Sequence, residues 1–327
     1  METSSVIIIA FIIDGIIGDP QYRLHPVRLM GKGIELCLRL LKGLRLKGRA
    51  GGVLLTLLTA VSSVGVYLSI RFALVKIHCI AAYFFDLFIC YSCIALRDLF
   101  DHIAPVAKAL ESGDLPAARK AVGMVVGRDV NSLDIAGVTR AAIETMAENF
   151  VDGFLSPVFW YAAGSMTGML AGVHPVPTGI SFMLIFKTAS TLDSMIGYKN
   201  EEFIGIGWAG ARLDDVMNFI PARVSLIILF IGAWLNRQRS VDGMRTALRD
   251  RLKHDSPNSA HSESFVAGAL NVRLGGPTIY HDGVKDKPWL GGEYGDPGIK
   301  HIPMTVRLIR TSSWVTMIIL CLLSLAR

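Results

Sequence analysis

Charge is scarce in this chain. Of its 327 residues, 18% are Asp, Glu, Lys or Arg and 52% are hydrophobic, with a mean hydropathy of +0.46. Soluble domains carry about 25% charged residues. A disordered chain, which needs low hydrophobicity and high net charge, is excluded, and no heptads or low-complexity tracts point to a fibrous class. Cysteine is too sparse for a disulfide framework. Cys79, Cys90 and Cys93 lie in an apolar run, and Cys37 and Cys321 are isolated. The lone C-x-x-C at 90–93 has no second pair and no redox-type βαβ setting, so it reads as small apolar residues in a membrane helix. No G-x-x-x-x-G-K-[ST], G-x-S-x-G or H-E-x-x-H is present, which removes the P-loop, nucleophile-elbow and zincin sites. Nor is there a zinc finger, RNP motif or basic–aromatic array, so nucleic acid is not an expected partner.

What remains is apolar sequence in blocks, the mark of an all-α, polytopic integral membrane protein. The N-terminal run begins Met1-Glu2 without a basic n-region or small-residue cleavage site and reads as a retained first membrane segment. A span needs about 20 apolar residues. Residues 52–70 meet this cleanly. Residues 72–96 are long enough but hold Lys76, His78 and Asp86, which predicts one face against protein or water. Residues 154–172 also qualify, with Trp160 and Tyr161 as interfacial anchors. Four runs are short: 5–18, interrupted by Asp14; 176–189, bounded by Pro175 and Pro177; 222–235; and 313–326.

The net charge of +6 is concentrated beside these runs. Residues 21–49 hold eight Lys/Arg against Glu35 alone, and residues 236–255 hold six against three acids. Such bias marks cytoplasmic loops and attracts anionic headgroups. If 222–235 crossed fully, the two basic stretches would face opposite sides, so one short segment is expected to be re-entrant or interfacial, as is tolerated only under protein cover. The chain reads as one membrane-embedded domain over 1–327, with cytoplasmic helical segments at 97–153 and 187–223 and an irregular loop segment at 256–300. Asp114-Leu115-Pro116 predicts a helix start and Gly127 a stop; Asp134 predicts the start of a helix running through Asn149. The loop reading of 256–300 rests on its Gly, Pro and Asn content.

The densest polar cluster is A141-A-I-E-T-M-A-E-N-F-V-D-G153. Glu144, Glu148 and Asp152 repeat every four residues and share a helix face. Oxygen ligands at that spacing suit Mg²⁺, which takes one or two carboxylates plus substrate phosphates; a solvated face is the alternative. In K187-T-A-S-T-L-D-S-M-I-G-Y-K-N200, Lys187, Thr191 and Asp193 suggest phosphate handling, or a helix end with snorkelling lysines. G205-I-G-W-A-G210 matches G-x-G-x-x-G but follows no strand and lacks the acid about twenty residues on; its glycines suit close approach of a loop to the helix A211-R-L-D-D-V-M-N218. In the following helix Arg212, Asp214, Asp215, Asn218 and Arg223 mix bidentate anion binders with metal ligands. The histidines are scattered and read as structural, except His25, which has Arg28 nearby. Asp19 and Arg128-Asp129 suit either turns or a site.

Together these motifs resemble the adenosylcobinamide-phosphate synthase family of cobalamin biosynthesis. The pieces are G18-D-P with H25-P-V-R-L-M-G31, V126-G-R-D129, R140-A-A-I-E-T-M-A-E-N-F-V-D-G153, T191-L-D-S-M-I-G-Y-K199, A211-R-L-D-D-V-M-N-F-I-P-A-R223, and S256-P-N258 with A267-G-A-L270 and L274-G-G276. They run in family order from 18 to about 276. Members often read S-P-N-[AS]-G-W-P-E, whereas Ser259-Ala260-His261-Ser262-Glu263 follows Asn258 here, and Asn often stands where Ser190 does; both bear on the choice of amino-alcohol. The resemblance implies an ATP-consuming amide ligase of the prokaryotic inner membrane with its active site in the cytoplasm. It would join adenosylcobyric acid to 1-aminopropan-2-ol O-phosphate, with Mg²⁺ as cofactor and ATP as co-substrate. It leaves room for a homodimer and for contacts with later membrane-bound assembly enzymes. On that basis Glu148, Asp152, Asp214 and Asp215 are expected to hold Mg²⁺, with Glu144 in support. Arg128, Arg212 and Arg223 would bind phosphates, and Lys187 the γ-phosphate or the aminopropanol phosphate. Asp193 would be the general base, while Asn149, Asn258 and Glu263, with His25 and Arg28, would position substrate. A membrane transporter and a non-catalytic membrane scaffold for corrinoid assembly are the alternatives. The placement of most ionisable residues outside the apolar runs argues against a transporter.

Overall fold

In a computed structural model the described residues are 2–20, 22–197, 203–280 and 283–325. They are almost wholly helical and form two compact units, Met1–Ala95 with Ser156–Asn218 and Leu320–Arg327, and Leu96–Leu155 with Phe219–Ile319.

The first unit opens with α1 (Glu2–Ile17), α2 (Pro26–Gly43), α3 (Gly48–Ile77) and α4 (Cys79–Ser92). Pro26 sits at the start of α2, where its missing N–H is harmless. One edge of α2 is apolar, and Ile34 and Leu41 pack with Leu55, Leu192, Ile196 and Ile206. The break between the first two apolar runs falls at His78, not at Arg71. Arg71 is a good helix former and stays inside α3; His78 is extended and its Nδ1 caps Ile80 N, starting α4. Asp86 of α4 is buried against α3: Arg71 Nε meets its carboxylate oxygens at 2.9 and 3.0 Å, and Tyr67 donates to it at 2.7 Å. Of the three polar residues expected on one face of the second run, Asp86 thus meets protein, while Lys76, in the last turn of α3, and His78, at the break, are exposed.

Numbering continues through the second unit with α5 (Leu96–Glu111), α6 (Leu115–Val122) and α7 (Ile135–Phe150). Asp114 and Asp134 cap α6 and α7 through Ala117 N and Gly137 N. The stop expected at Gly127 comes earlier, at Gly123. A widened π turn, Val151–Leu155, follows α7.

Back in the first unit, α8 (Ser156–Leu170) continues the π turn without a break and packs along α9 (Pro175–Ile196); the span expected over 154–172 is not among the described helices long and apolar enough to cross a membrane. Small residues allow the approach: a Cβ on Gly164 would lie 2.7 Å from Phe182, and one on Gly168 2.9 Å from Thr178. Tyr161 is 1% exposed and Trp160 donates to the Met217 carbonyl at 2.9 Å; both are packed within the unit, unlike the interfacial anchors expected. The segment 176–189 is the front of α9.

Then α10 (Trp208–Leu235) begins in the first unit and ends in the second, where α11 (Ser240–Asp250) and α12 (Ser259–Leu270) pack closely. Gly268 meets the Asp242 carbonyl at a distance no side chain would permit. The segment 256–300 is thus not irregular throughout. Its first part is α12, buried from Ala260 to Leu270 and so shielded from the polar signals around it. Four short strands follow: β1 (Leu274–Gly275) pairs antiparallel with β4 (Trp289–Leu290), and β2 (Thr278–Tyr280) with β3 (Gly283–Lys285). The chain closes with α13 (His301–Leu325).

Among the described residues four helices are long and apolar enough to cross a membrane: Gly48–Ile77, Cys79–Glu111 with its turn at 93–95, Trp208–Leu235 and His301–Leu325. The runs 222–235 and 313–326 are short only as apolar stretches; polar first halves at 208–221 and 301–312 continue each helix. Leu57, Val61, Val66 and Phe72 stand exposed along α3, a surface suited to lipid.

Candidate active site

In the second unit, α7 presents Glu144 inward. Its side chain is 6% exposed and ion-paired to Arg128, which stands in the loop before α7. Its Oε1 accepts a 2.6 Å bond from Gly275 N. Gly275 has φ +73, and a Cβ there would lie 2.6 Å from the Pro288 carbonyl, so glycine is needed for that amide to face the carboxylate. One turn on, Glu148 is exposed, as is Asn149, whose amide donates to the Thr145 carbonyl at 3.0 Å. The acidic row therefore spans two environments. Asp152 is half-buried in the π turn, a feature frequent at functional sites.

Glu263 of α12 is 5% exposed. Burial, then Glu148 and Glu144, push its carboxyl well above the usual range, against the pull of Lys287 and Arg128. His254 Nδ1 lies 3.8 Å from Glu263 Oε2; burial and Lys287 lower the imidazole, which favours its neutral form. Arg223 Nη1 lies 3.5 Å from Asn258 Oδ1, at the start of α12. The second unit thus brings together Arg128, Glu144, Glu148 and Glu263, and separately Arg223 with Asn258.

In the first unit the residues lie at the end of α9 and the start of α10. Asp193 is half-buried, and burial together with Asp215 raises its carboxyl. Asp215 accepts from Arg212 Nη1 at 3.2 Å. Asp214 accepts from Asn218 Nδ2 at 3.1 Å, and Asn218 Oδ1 accepts from buried Ser156 at 2.6 Å. Asn218 therefore holds Asp214 in place. Lys187 is half-buried further back on α9. His25 has Asp19 at 2.9 Å as its partner, while Arg28 is exposed. Lys199, the end of one motif, and His281 lie outside the described residues.

Among the described residues no three His, Cys, Asp or Glu side chains gather as a metal site. Mg²⁺ asks for less: one or two carboxylates, with substrate phosphates completing the shell. Glu148 is exposed and, after burial, is the first of the charges that raise the Glu263 carboxyl, a negative surrounding that fits a cation there.

Spacing along the chain does not reveal Lys287, His254 or Gly275 as neighbours of this acidic group. It also misses a second cluster: Asp296 pairs with Arg140 and with Arg273, at 2.7 Å for the latter, and both guanidiniums lie over the Trp289 ring, at 4.6 and 4.4 Å. The L-G-G turn at 274–276 and Arg140, the first residue of the acidic-row motif, are the sequence signals that touch this region.

The fold and these clusters define a multi-pass helical protein of the inner membrane with acids and arginines grouped in its polar segments. The CobD/Cbib protein family model matches residues 7–309. A cobalamin biosynthesis protein CobD of Pelobacter propionicus is 40% identical over 287 residues, 88% of this chain and 84% of the relative. The CobD of Klebsiella pneumoniae is 37% identical over 93% of this chain and 92% of its own length. The cobalamin biosynthesis protein CbiB of Salmonella typhimurium is 35% identical over 95% and 94%. No solved structure gives a significant match. This chain belongs to the CobD/CbiB family of cobalamin-biosynthesis enzymes.

Proposed function

We propose that the chain is an ATP-dependent ligase joining a carboxyl of adenosylcobyric acid to the amine of 1-aminopropan-2-ol O-phosphate. The observation that supports this reading most is the match to cobalamin-biosynthesis relatives over nearly the whole chain. A carboxylate is a poor electrophile. Its oxygen attacks the γ-phosphorus of ATP, giving an acyl phosphate and ADP. The amine then forms the C–N bond as the C–O bond to phosphate breaks, and inorganic phosphate leaves. The amine's proton passes to Asp193, whose half-buried carboxyl is raised toward neutral.

All three reactants are anionic, so the main task is electrostatic. Arg128, Arg212 and Arg223 bind phosphate oxygens and Lys187 the γ-phosphate. Glu144 orients Arg128 through their ion pair. Asn149, Asn258 and Glu263, with His25 and Arg28, position the organic substrates. Within the second unit Glu148 and Asp152 would be oxygen donors for Mg²⁺, and within the first Asp214 and Asp215 would be; each is described within its own unit, and a bound cation would supply charge neutralisation to the phosphates.

The test is amide formation by purified protein in detergent from ATP, corrinoid and the amino-alcohol phosphate, alongside corrinoid-dependent ATP hydrolysis. Near wild-type turnover by both Asp152→Ala and Asp214→Ala would remove the metal assignment. We further propose that the polar segments face the cytoplasm, where ATP is. Labelling of a Ser256→Cys variant from outside the cell would contradict that placement.

A further inference from the structure

A fully buried imidazole in the second unit has only half of its hydrogen bonding accounted for. His261, in the first turn of α12, is 0% exposed, and its Nδ1 lies 3.2 Å from the Asn258 carbonyl. A carbonyl only accepts, so Nδ1 carries the proton and Nε2 is left as an acceptor. That Nε2 is buried and has no hydrogen-bond partner among the described residues. Buried acceptors are rarely left so, because the desolvation penalty goes uncompensated.

The surroundings are positive. Burial first, then Arg223 and Arg251, lowers the pKa of His261 to about 4, which favours its neutral form. Arg251 ends α11, and its own Nε is buried without a partner among the described residues. Neither arginine is paired with a carboxylate among the described residues. Arg223 Nη1 donates to the Phe219 carbonyl at 2.6 Å and lies 3.5 Å from Asn258 Oδ1, so its guanidinium is held at this place. Here too is the N-terminus of the 12-residue α12, whose N-cap Asn258 makes no side-chain capping bond. Two guanidiniums and a helix N-terminus call for an oxyanion. The bare Nε2 calls for a hydrogen-bond donor. A phosphate dianion offers acceptors only and would leave Nε2 unanswered. A ligand that answers both carries a phosphate and, a few bonds away, an N–H or O–H.

We propose that Arg223, Arg251 and His261 form the pocket for the amino-alcohol phosphate, the two arginines holding its phosphate oxygens and His261 Nε2 accepting a hydrogen bond from its amine. The inference deepens the ligase reading and rests on it for the identity of the ligand. The role of His261 is recognition; no proton changes hands in it.

Binding separates the parts. Full-length protein in detergent, without ATP or corrinoid, is titrated with 1-aminopropan-2-ol O-phosphate, with propan-2-yl phosphate, which lacks the amine, and with 1-aminopropan-2-ol, which lacks the phosphate. The wild type should bind the first at least about tenfold more tightly than the second, the effect of leaving a buried polar group unpaired, and the third least. His261→Phe should bring the first two to parity. His261→Gln, whose carbonyl restores an acceptor, should keep part of the preference. Arg251→Gln should weaken both phosphates about tenfold. The pocket is refuted if the wild type binds none of the probes, if both His261 variants keep the full preference, or if Arg251→Gln leaves both phosphate affinities unchanged. A wild type that binds as described but forms no amide refutes the ligase reading and leaves the pocket standing. A wild type that forms amide while its variants bind unaltered does the reverse.

Discussion

Glu144 and Glu148 stand one helical turn apart and should respond to substitution in opposite ways. Glu144→Ala strands the Arg128 guanidinium and the Gly275 amide in a covered site. Breaking a buried pair in this way costs about 3–5 kcal/mol, so the melting temperature in detergent should fall by many degrees. Glu148→Ala removes an exposed charge and should leave melting nearly unchanged while, on the proposed function, amide formation falls by orders of magnitude. Equal effects on melting would show that the two share one role. His261 adds a pH signature. Its value of about 4 in the folded protein lies below 6.5, so between those values the unfolded chain binds more protons. The stability it contributes is full above about pH 6.5 and is lost as pH falls through about 4. Melting followed from pH 7 to 4.5 should decline less steeply in His261→Phe than in the wild type; buried His254, shifted the same way, keeps some slope in both. At this scale the sequence made the acidic row legible, because a four-residue spacing is local. It could not show that Glu144 is covered and Glu148 is not, since the cover comes from Gly275, on a strand far along the chain.

At the scale of elements, helix starts were readable and helix extents less so. Asp114 and Asp134 cap as their positions suggest, because a cap is decided by its own few neighbours. The two short apolar runs near 222 and 313 proved to be halves of long helices, since hydropathy marks where a helix meets lipid and not where its hydrogen bonds stop. The glycines at 205–210 matched a nucleotide fingerprint by spacing alone; their use is contact between backbones. A Cβ on Gly52 would lie 2.5 Å from the Ile206 carbonyl, and one on Gly205 2.8 Å from the Gly48 Cα. Gly52→Ala and Gly205→Ala must push the 203–207 segment off α3. Each should cost about 1–3 kcal/mol, as overpacking does, and lower the yield of folded protein. Gly33→Ala, with nothing within 4 Å, is the control and should be neutral or slightly stabilising. Loss of yield in Gly33→Ala as well would argue that these helices reject any side chain.

For the whole molecule, the contacts inside the second unit constrain membrane topology. Arg140 reaches Asp296 and Glu144 reaches the Gly275 amide, so residues 97–153 and 256–300 lie on one side of the bilayer. The chain between Leu155 and Ser256 must then cross an even number of times, so α10, the one candidate span there among the described residues, either turns back within the bilayer or is matched by a second crossing; both set the basic stretch before Ser256 on the side of 97–153 and agree with the charge rule. In a background without native cysteines, Ser112→Cys and Lys253→Cys, both at exposed positions, should react with an impermeant maleimide from the same side; reaction from opposite sides would break the unit apart. Hydropathy alone could not place these segments together, because the contacts that join them link residues more than a hundred positions apart. The Arg71–Asp86 pair bears on how the protein enters the bilayer at all. Asp86 near the middle of an inserting α4 carries a penalty of about 2.5–3.5 kcal/mol and Arg71, nearer the end of α3, a smaller one; the two cancel only when α3 and α4 are side by side. During synthesis α3 should therefore wait at the translocon for α4 and leave with it as a hairpin. Nascent chains stalled just after Ile77 should integrate less completely than chains stalled after α4 has emerged, and Arg71→Leu should erase that difference.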